Sequence, residues 1–147
     1  MKYVALLGLL LACAVCGAPR VAVEFRLAET EPGEGLTELT LHESGDVFYL
    51  HADAAIHDDD IASASVTKHG GRSAVEVVLT AEGSKKLAAV TERNVKRRMG
   101  MVVDGRLVSA PIINAPITGG RAILQGDFSD EEALRIAQGL RAQAAGR

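Results

Sequence analysis

The sequence predicts an α+β domain: a mixed, mostly antiparallel sheet with two helices packed on one face. Three observations carry this. Short apolar–polar alternations recur between residues 21 and 128, separated by glycine, proline and aspartate turns. Gly70-Gly71 and Asp104-Gly105 sit between such alternations as two-residue hairpin turns. Segments opening at Thr80 and Ser129 place a capping side chain ahead of apolar residues at three- and four-residue spacing. One apolar stripe per helix suits one covered sheet face.

In order, residues 21–27 (VAVEFRL) alternate as a half-buried strand, and residues 29–35 (ETEPGEG) form a polar turn. Residues 36–43 alternate again, with Leu39 and Leu41 inward. Ser44-Gly45-Asp46 then turns the chain into a strand over 47–52. After Ile56-His-Asp-Asp-Asp-Ile61 come a strand over 62–69, the Gly-Gly turn and a partner strand over 73–79. Thr80 caps a helix over 81–96 with Glu82 in its first turn, and Leu87, Val90, Thr91 and Val95 form its inner face. Gly83 costs that helix up to about 1 kcal/mol relative to Ala, which points to close packing at that position.

Strands over 99–103 and 106–110 flank Asp104-Gly105, and Pro111 ends the second of them. Pro116 and Gly119-Gly120 bound an irregular segment before a strand over 122–126. Ser129-Asp-Glu-Glu132 is a capping box in which Ser129 accepts from the Glu132 amide and Glu132 reaches back. The helix over 130–142 turns Ala133, Ile136, Ala137 and Leu140 inward, and Gly146-Arg147 frays.

A chain of 147 residues, 48% hydrophobic, can bury one core. Three Phe, two Tyr and no Trp leave that core to aliphatic residues and supply few stacking platforms for bases or flat cofactors. Residues 1–17 read as an export signal: Met1-Lys2, an apolar run over 4–11 too short to span a bilayer, and small residues up to the cleavage site. Residues 18–147 are then a single domain. A second processing mode competes, because Leu10-Leu11-Ala12-Cys13 resembles a lipoprotein box and would leave a lipidated Cys13. Both cysteines, Cys13 and Cys16, lie in this leader, so disulfides, thiol catalysis and Cys-ligated metals are excluded from the domain itself. Charge is uneven: residues 18–60 hold eleven acids against Arg20 and Arg26, and residues 61–147 hold eight against thirteen Lys and Arg. That is a soluble surface with an acidic start, or a polarised molecule that orients a partner. An exported chain rarely meets nucleic acid, so no nucleic-acid partner is expected.

His57-Asp58-Asp59-Asp60 is the strongest candidate for chemistry. One imidazole and three carboxylates offer ligands to a divalent cation, but consecutive residues diverge and a hard-ion loop places its ligands on alternate positions. A capped turn before Ile61 accounts for the run more simply. No metal or other cofactor is therefore assigned. His42, His51 and His69 are isolated. No serine lies in a nucleophile elbow, and Gly119 to Gly126 lacks the Lys-Ser/Thr of a phosphate loop. The cations Lys85, Lys86, Arg93 and Lys96-Arg97-Arg98 suit a solvated helix end, with anionic lipid headgroups as the sharper alternative.

Six short motifs stand in unbroken order: Leu79-Thr80-x-Glu82-Gly83, Thr91-x-x-Asn94, Val103-Asp104-Gly105, Ser109-Ala110-Pro111, Ile117-x-x-Gly120 and Gly126-x-Phe128-x-x-Glu131-Glu132-Ala133. On these the chain closely resembles the head subdomain of the first periplasmic domain of SecD, in the SecDF protein-export family. The match is strong over residues 75–140 and weak over 21–60. It departs at Arg98-Met-Gly-Met101, where the family tends to carry a more uniformly apolar strand after a Gly-Lys pair. The resemblance implies structural roles for Thr80, Gly83, Asp104, Gly105, Pro111, Gly120 and Gly126. It also implies a periplasmic, non-catalytic module that contacts unfolded or exported polypeptide or another envelope protein, with membrane contact only through a lipid on Cys13. SecD's transmembrane carboxylates have no counterpart in these residues, so the expectation is a recognition module without the motor. Two modes of polypeptide contact are open, a sheet edge or an apolar groove between helix and sheet. The candidate contact residues are Ile112, Ile113 and Ile117, apolar positions in the irregular loop 109–120. The alternative function is a small metal-dependent protein or enzyme using His57 to Asp60.

Overall fold

The structure is a computed structural model and describes residues 19–147; the proposed leader 1–17 and its Cys13 lie outside the described residues. The α+β class expected from the sequence holds, with eight strands and two helices among the described residues. The strands divide between two sheets, and each pairing is antiparallel. The first sheet contains β1 (Val23–Glu29), β2 (Thr37–Thr40), β3 (Val47–His57), β6 (Arg98–Val103) and β7 (Arg106–Ser109), in the order β2-β3-β1-β6-β7. The second contains β4 (Ile61–His69), β5 (Arg72–Leu79) and β8 (Arg121–Phe128), in the order β4-β5-β8. The division occurs at a 3-10 turn, Asp58–Asp60, which takes the chain from β3 into the second sheet.

Both hairpins form as their dipeptides require. Gly70 and Gly71 have φ of 59° and 80°, and Asp104 and Gly105 have φ of 50° and 80°, the paired positive values of a turn that matches strand twist. Both caps form as well. Thr80 Oγ1 accepts from the Gly83 amide at 3.0 Å, opening α1 (Ala81–Arg93). Ser129 Oγ accepts from the Glu132 amide at 3.1 Å, opening α2 (Asp130–Ala145). The reciprocal half of the Ser129 box is absent, because the Glu132 carboxylate takes Arg106 on β7 instead. Helix α1 also stops short of Lys96. Asn94 caps it, Lys96 has φ of 73°, and Val95 stays exposed instead of joining the inner face. Gly146-Arg147 docks where fraying was expected: Arg147 donates to the carbonyl oxygens of Asp59 and Asp58, at 2.5 and 3.1 Å.

The main core lies between the two sheets and both helices. Val23 and Phe25 of β1, Met99, Met101 and Val103 of β6, Val75 and Val77 of β5, and Leu87 of α1 all enter it. From α2 it receives Ala133, Ile136, Ala137 and Leu140, each fully buried as the spacing predicted. Thr91 is fully buried among them and satisfied: its hydroxyl donates to the Leu87 carbonyl at 2.7 Å and accepts from the Ile117 amide at 2.9 Å. A second, smaller core lies on the opposite face of the first sheet, where Ala28, Phe48, Leu50, Val102, Leu107 and Ala110 cluster under Leu39 and Leu41. The sheet rolls around this core until its edge strands β2 and β7 meet. Gly100 lies on the inside of that roll. A Cβ there would stand 3.0 Å from a Leu50 methyl and 3.3 Å from one of Leu107. The departure at residues 98–101 is explained the same way: Gly100 admits the two leucines, and Arg98 lays its guanidinium 5.4 Å over the Phe48 ring while donating to the Ala110 carbonyl.

A groove between the first helix and the third strand

Strand β3 is longer than the partner it pairs with. Phe25 faces Ile56, Arg26 faces Ala54 and Ala28 faces Leu50, so two bulges place three extra residues on β3 between Leu50 and Ile56. On its other edge β2 ends at the pair of Thr37 with Leu50. From residue 51 onward β3 therefore has no strand neighbour on that side among the described residues. The bulged segment swings towards α1, and the two enclose an open groove of about 660 Å³.

The helix side of the groove is formed by Lys86, Ala89, Val90, Arg93 and Asn94. These positions run i, i+3, i+4, i+7, i+8 and so make one stripe, adjacent to the stripe that enters the core. The strand side is His51, Ala52, Asp53, Ala54 and Ala55, with Leu27 beneath and residues 34–36 of the turn before β2 at one end. Small apolar side chains make the floor. Cations stand on the helix side, and Glu34 and Asp53 stand opposite. Among the described residues Arg93, Glu34 and Asp53 have no ion-pair partner closer than 4 Å.

Two polar links fix the walls. At one end Asp60, 5% exposed, accepts from Lys86 Nζ at 2.8 Å and from the His57 amide at 3.1 Å. Burial pushes the Asp60 carboxyl up, but the Lys86 ammonium and the His57 amide together outweigh it and leave the group below the ordinary carboxylate range. At the other end His51 Nε2 lies 2.8 Å from Glu29, which also receives Arg97, and Arg97 donates to Asn94 Oδ1 at 2.7 Å. Glu29 is acceptor-only when ionised, so His51 carries its proton on Nε2 and donates. The hydrogen bond from His51, then that from Arg97, hold the Glu29 carboxyl below its ordinary value. The chain His51–Glu29–Arg97–Asn94 thus ties the start of the bulge to the C-terminus of α1.

The motif residues make these contacts within the fold. Gly83 meets the turn, where a Cβ would lie 2.7 Å from the Asp60 carbonyl oxygen. Asp104 binds the Ala22 amide through Oδ1 at 2.9 Å and Arg135 through Oδ2, joining the hairpin to the residue before β1 and to α2. Pro111 ends β7, yet its carbonyl accepts from the Met99 amide at 2.9 Å. Gly120, at φ 66°, gives its carbonyl to the Leu79 amide and leaves room for Ser84. Gly126 lets β8 approach Val108 of β7. The three isoleucines separate: Ile113 is buried, Ile117 packs half-buried against the main core, and Ile112 is 46% exposed.

The run His57 to Asp60 does not converge. Asp60 points to Lys86, Asp58 to Gln143 and Arg20, and Asp59 outward. Among the described residues no three His, Asp or Glu side chains come together as a metal site. Of the basic run, Lys86, Arg97 and Arg98 are committed to Asp60, to Glu29 with Asn94, and to the Phe48 ring. Ser73 touches Lys68 Nζ at 2.8 Å and also Asp130. Lys68 is solvent-exposed and bound to that same carboxylate, so the three groups form a surface ion-pair cluster. Among the described residues no helix is long and apolar enough to cross a membrane.

A family model described as SecDF, P1 head subdomain, matches residues 34–145. The protein translocase subunit SecDF of Thermus thermophilus is 45% identical over 83 residues, 56% of this chain and 11% of that protein. The SecD subunit of Syntrophobacter fumaroxidans is 39% identical over 83 residues, covering 56% of this chain and 16% of its own length. The chain thus spans less than a fifth of each of these relatives. Among solved structures, one described as "Structure and function of a membrane component SecDF that enhances protein export" superposes with a TM-score of 0.67 at 31% identity, over 85% of this chain and 64% of that one. A crystal structure of SecDF in a super-membrane-facing form gives 0.68 at 32% identity, over 85% and 19%.

Proposed function

The chain belongs to the SecDF P1 head subdomain family, and on that premise we propose that it is a non-catalytic module of the cell envelope that binds extended polypeptide during protein export. The observation that carries the reading is the groove. A bulged strand without a neighbour on one edge lies beside a helix stripe of Ala89 and Val90. An extended chain entering there adds backbone hydrogen bonds to β3 and lays alternate side chains on the small apolar floor. The two modes left open by the sequence, sheet edge and apolar groove, coincide in this one place. Export of the domain into the periplasm, by a cleaved leader over residues 1–17 or by lipidation at Cys13, is part of the same proposal, and no cofactor enters it.

A reduced, unfolded secretory protein serves as the probe. A photo-reactive side chain at Ala89 is expected to capture it, and Ala89→Trp, which fills the groove, is expected to weaken binding at least about tenfold with the fold intact. Equal binding by Ala89→Trp would remove the groove from the proposal. The loop residue Ile112 is the second candidate contact, because its side chain is exposed where Ile113 is buried; capture from position 112 alone would move the site there. The metal-dependent alternative at His57 to Asp60 requires a thermal shift on adding zinc, calcium or magnesium, which the commitments of Asp58 and Asp60 argue against.

A further inference from the structure

Strand β4 is an edge of the second sheet along its whole length. The two-residue turn at Gly70-Gly71 makes His69 and Arg72 a hydrogen-bonded pair, so His69, Thr67, Ser65 and Ser63 direct their backbone groups at β5. Ala64, Val66 and Lys68 then direct theirs outward. An independent contact agrees: Arg141 of α2 reaches the Ala64 carbonyl at 3.0 Å. Residues 62–67 (ASASVT) carry no charge and no proline, the usual guards of an exposed edge.

Helix α2 runs beside this strand, with Asp130 on Lys68 and Arg141 on Ala64. Leu134 follows Asp130 by four residues and precedes Arg141 by seven, so all three share one flank of the helix. Leu134, 45% exposed, therefore lies along the stretch of β4 that carries Val66, 40% exposed. Charge is arranged along the same edge. The exposed Asp59 stands before it and Lys68-His69 at its end, with Arg72 across the turn; Asp59, Lys68 and Arg72 each also pair within their own chain.

The geometry points to a second copy of this chain as the partner of β4, paired antiparallel about a two-fold axis at Ser65. That register sets Ala64 opposite Val66 of the other copy, with both sets of backbone groups facing each other. It brings the acidic start of each strand beside the basic end of its mate and covers Val66 and Leu134 on both sides. Two three-stranded sheets become one of six strands. In the single chain Arg141 holds the Ala64 carbonyl, and pairing exchanges that bond for the Val66 N–H of the second copy. An edge of this length buries little area, so association is weak. The surface is separate from the groove, and the proposal does not rest on polypeptide binding.

Sedimentation velocity of the full chain, in a concentration series up to about 1 mM, is expected to show a monomer–dimer equilibrium that weakens with added salt. Val66→Lys and Leu134→Arg, both at exposed positions, are expected to keep the wild-type melting temperature and abolish the dimer. The second measurement uses Ser65→Cys in a Cys13→Ser, Cys16→Ser background. Position 65 faces its own copy across the axis as a non-hydrogen-bonded pair, with Cα atoms about 4.5 Å apart, within disulfide reach. Mild oxidation should link it at least about tenfold faster than Ser63→Cys, whose copies are offset. A chain that stays monomeric throughout, a dimer indifferent to both surface substitutions, equal linking at 63 and 65, or capture of a foreign peptide at 65 without self-linking would each overturn the proposal.

Discussion

Replacing Gly83 by Ala sets two known effects against each other. Helix propensity favours the change by up to about 1 kcal/mol, and less in a first turn. Packing opposes it, because the added Cβ would lie 2.7 Å from the Asp60 carbonyl oxygen and 2.8 Å from the Asp60 Cβ. Both atoms belong to a turn held in place: the Asp60 carbonyl accepts from the Thr80 amide at 2.8 Å, and its carboxylate holds Lys86. Relief requires α1 and the turn to separate by roughly half an ångström or more, and overpacking of this kind costs about 1–3 kcal/mol. The net expectation is a loss of about 1–2 kcal/mol, a fall in melting temperature of about 3–8 °C for a domain of this size. Urea and thermal unfolding of Gly83→Ala measure it. Gly119→Ala is the internal control, since a Cβ there meets nothing within 4 Å. If Gly83→Ala unfolds at or above the wild-type midpoint, the contact between helix and turn is not a constraint and the reasoning fails.

Other outcomes follow from the same contacts. Gly100→Ala should cost less than about 1 kcal/mol because the Leu50 methyl can shift, whereas Gly100→Val should cost about 2–3 kcal/mol by filling the roll of the first sheet, as denaturant titration will register. The Glu29 and Asp60 carboxyls lie below their ordinary values near 4.5 and 3.8, so the stability they confer is complete above those values and is lost as pH falls through the lower folded-state values. Melting temperature should accordingly decline below about pH 4.5, and Glu29→Gln with Asp60→Asn should flatten that limb. Ile113→Ser should destabilise the domain by about 3–5 kcal/mol while Ile112→Ser changes it by less than about 1 kcal/mol, a contrast that circular dichroism melts resolve directly.

Features governed by neighbours in sequence were legible before the structure. Gly70-Gly71 and Asp104-Gly105 define their turns by backbone freedom alone, and Thr80 and Ser129 cap amides three residues away. The division into two sheets depends on which distant strand residues 121–128 choose, and nothing local distinguishes β5 from β7 as their neighbour. The Glu132 carboxylate illustrates the same limit, since Arg106 competes for it from 26 residues away. The groove was half legible. Lys86, Ala89, Val90 and Arg93 recur at helical spacing, but the stronger stripe through Leu87 and Thr91 hides them, and residues 51–55 (HADAA) alternate as any strand does, with nothing to announce a bulge. In the loop, successive residues of extended chain face opposite ways, so Ile112 and Ile113 could not share a fate.

The first sheet is a wall with a core on each side. Val23 and Phe25 of β1 face one core and Ala28 the other, and in β6 Met101 and Val102 divide the same way. Neither core can melt alone, because losing either one strips a face from the strands that hold the other. Two clusters of different size should therefore unfold in a single step, with the slowest-exchanging amides on β1 and β6 where both depend on the same backbone. The groove borders on this pair through Leu27 of β1, so its floor belongs to the last part of the molecule to open while its rim, the turn at residues 34–36, belongs to the first.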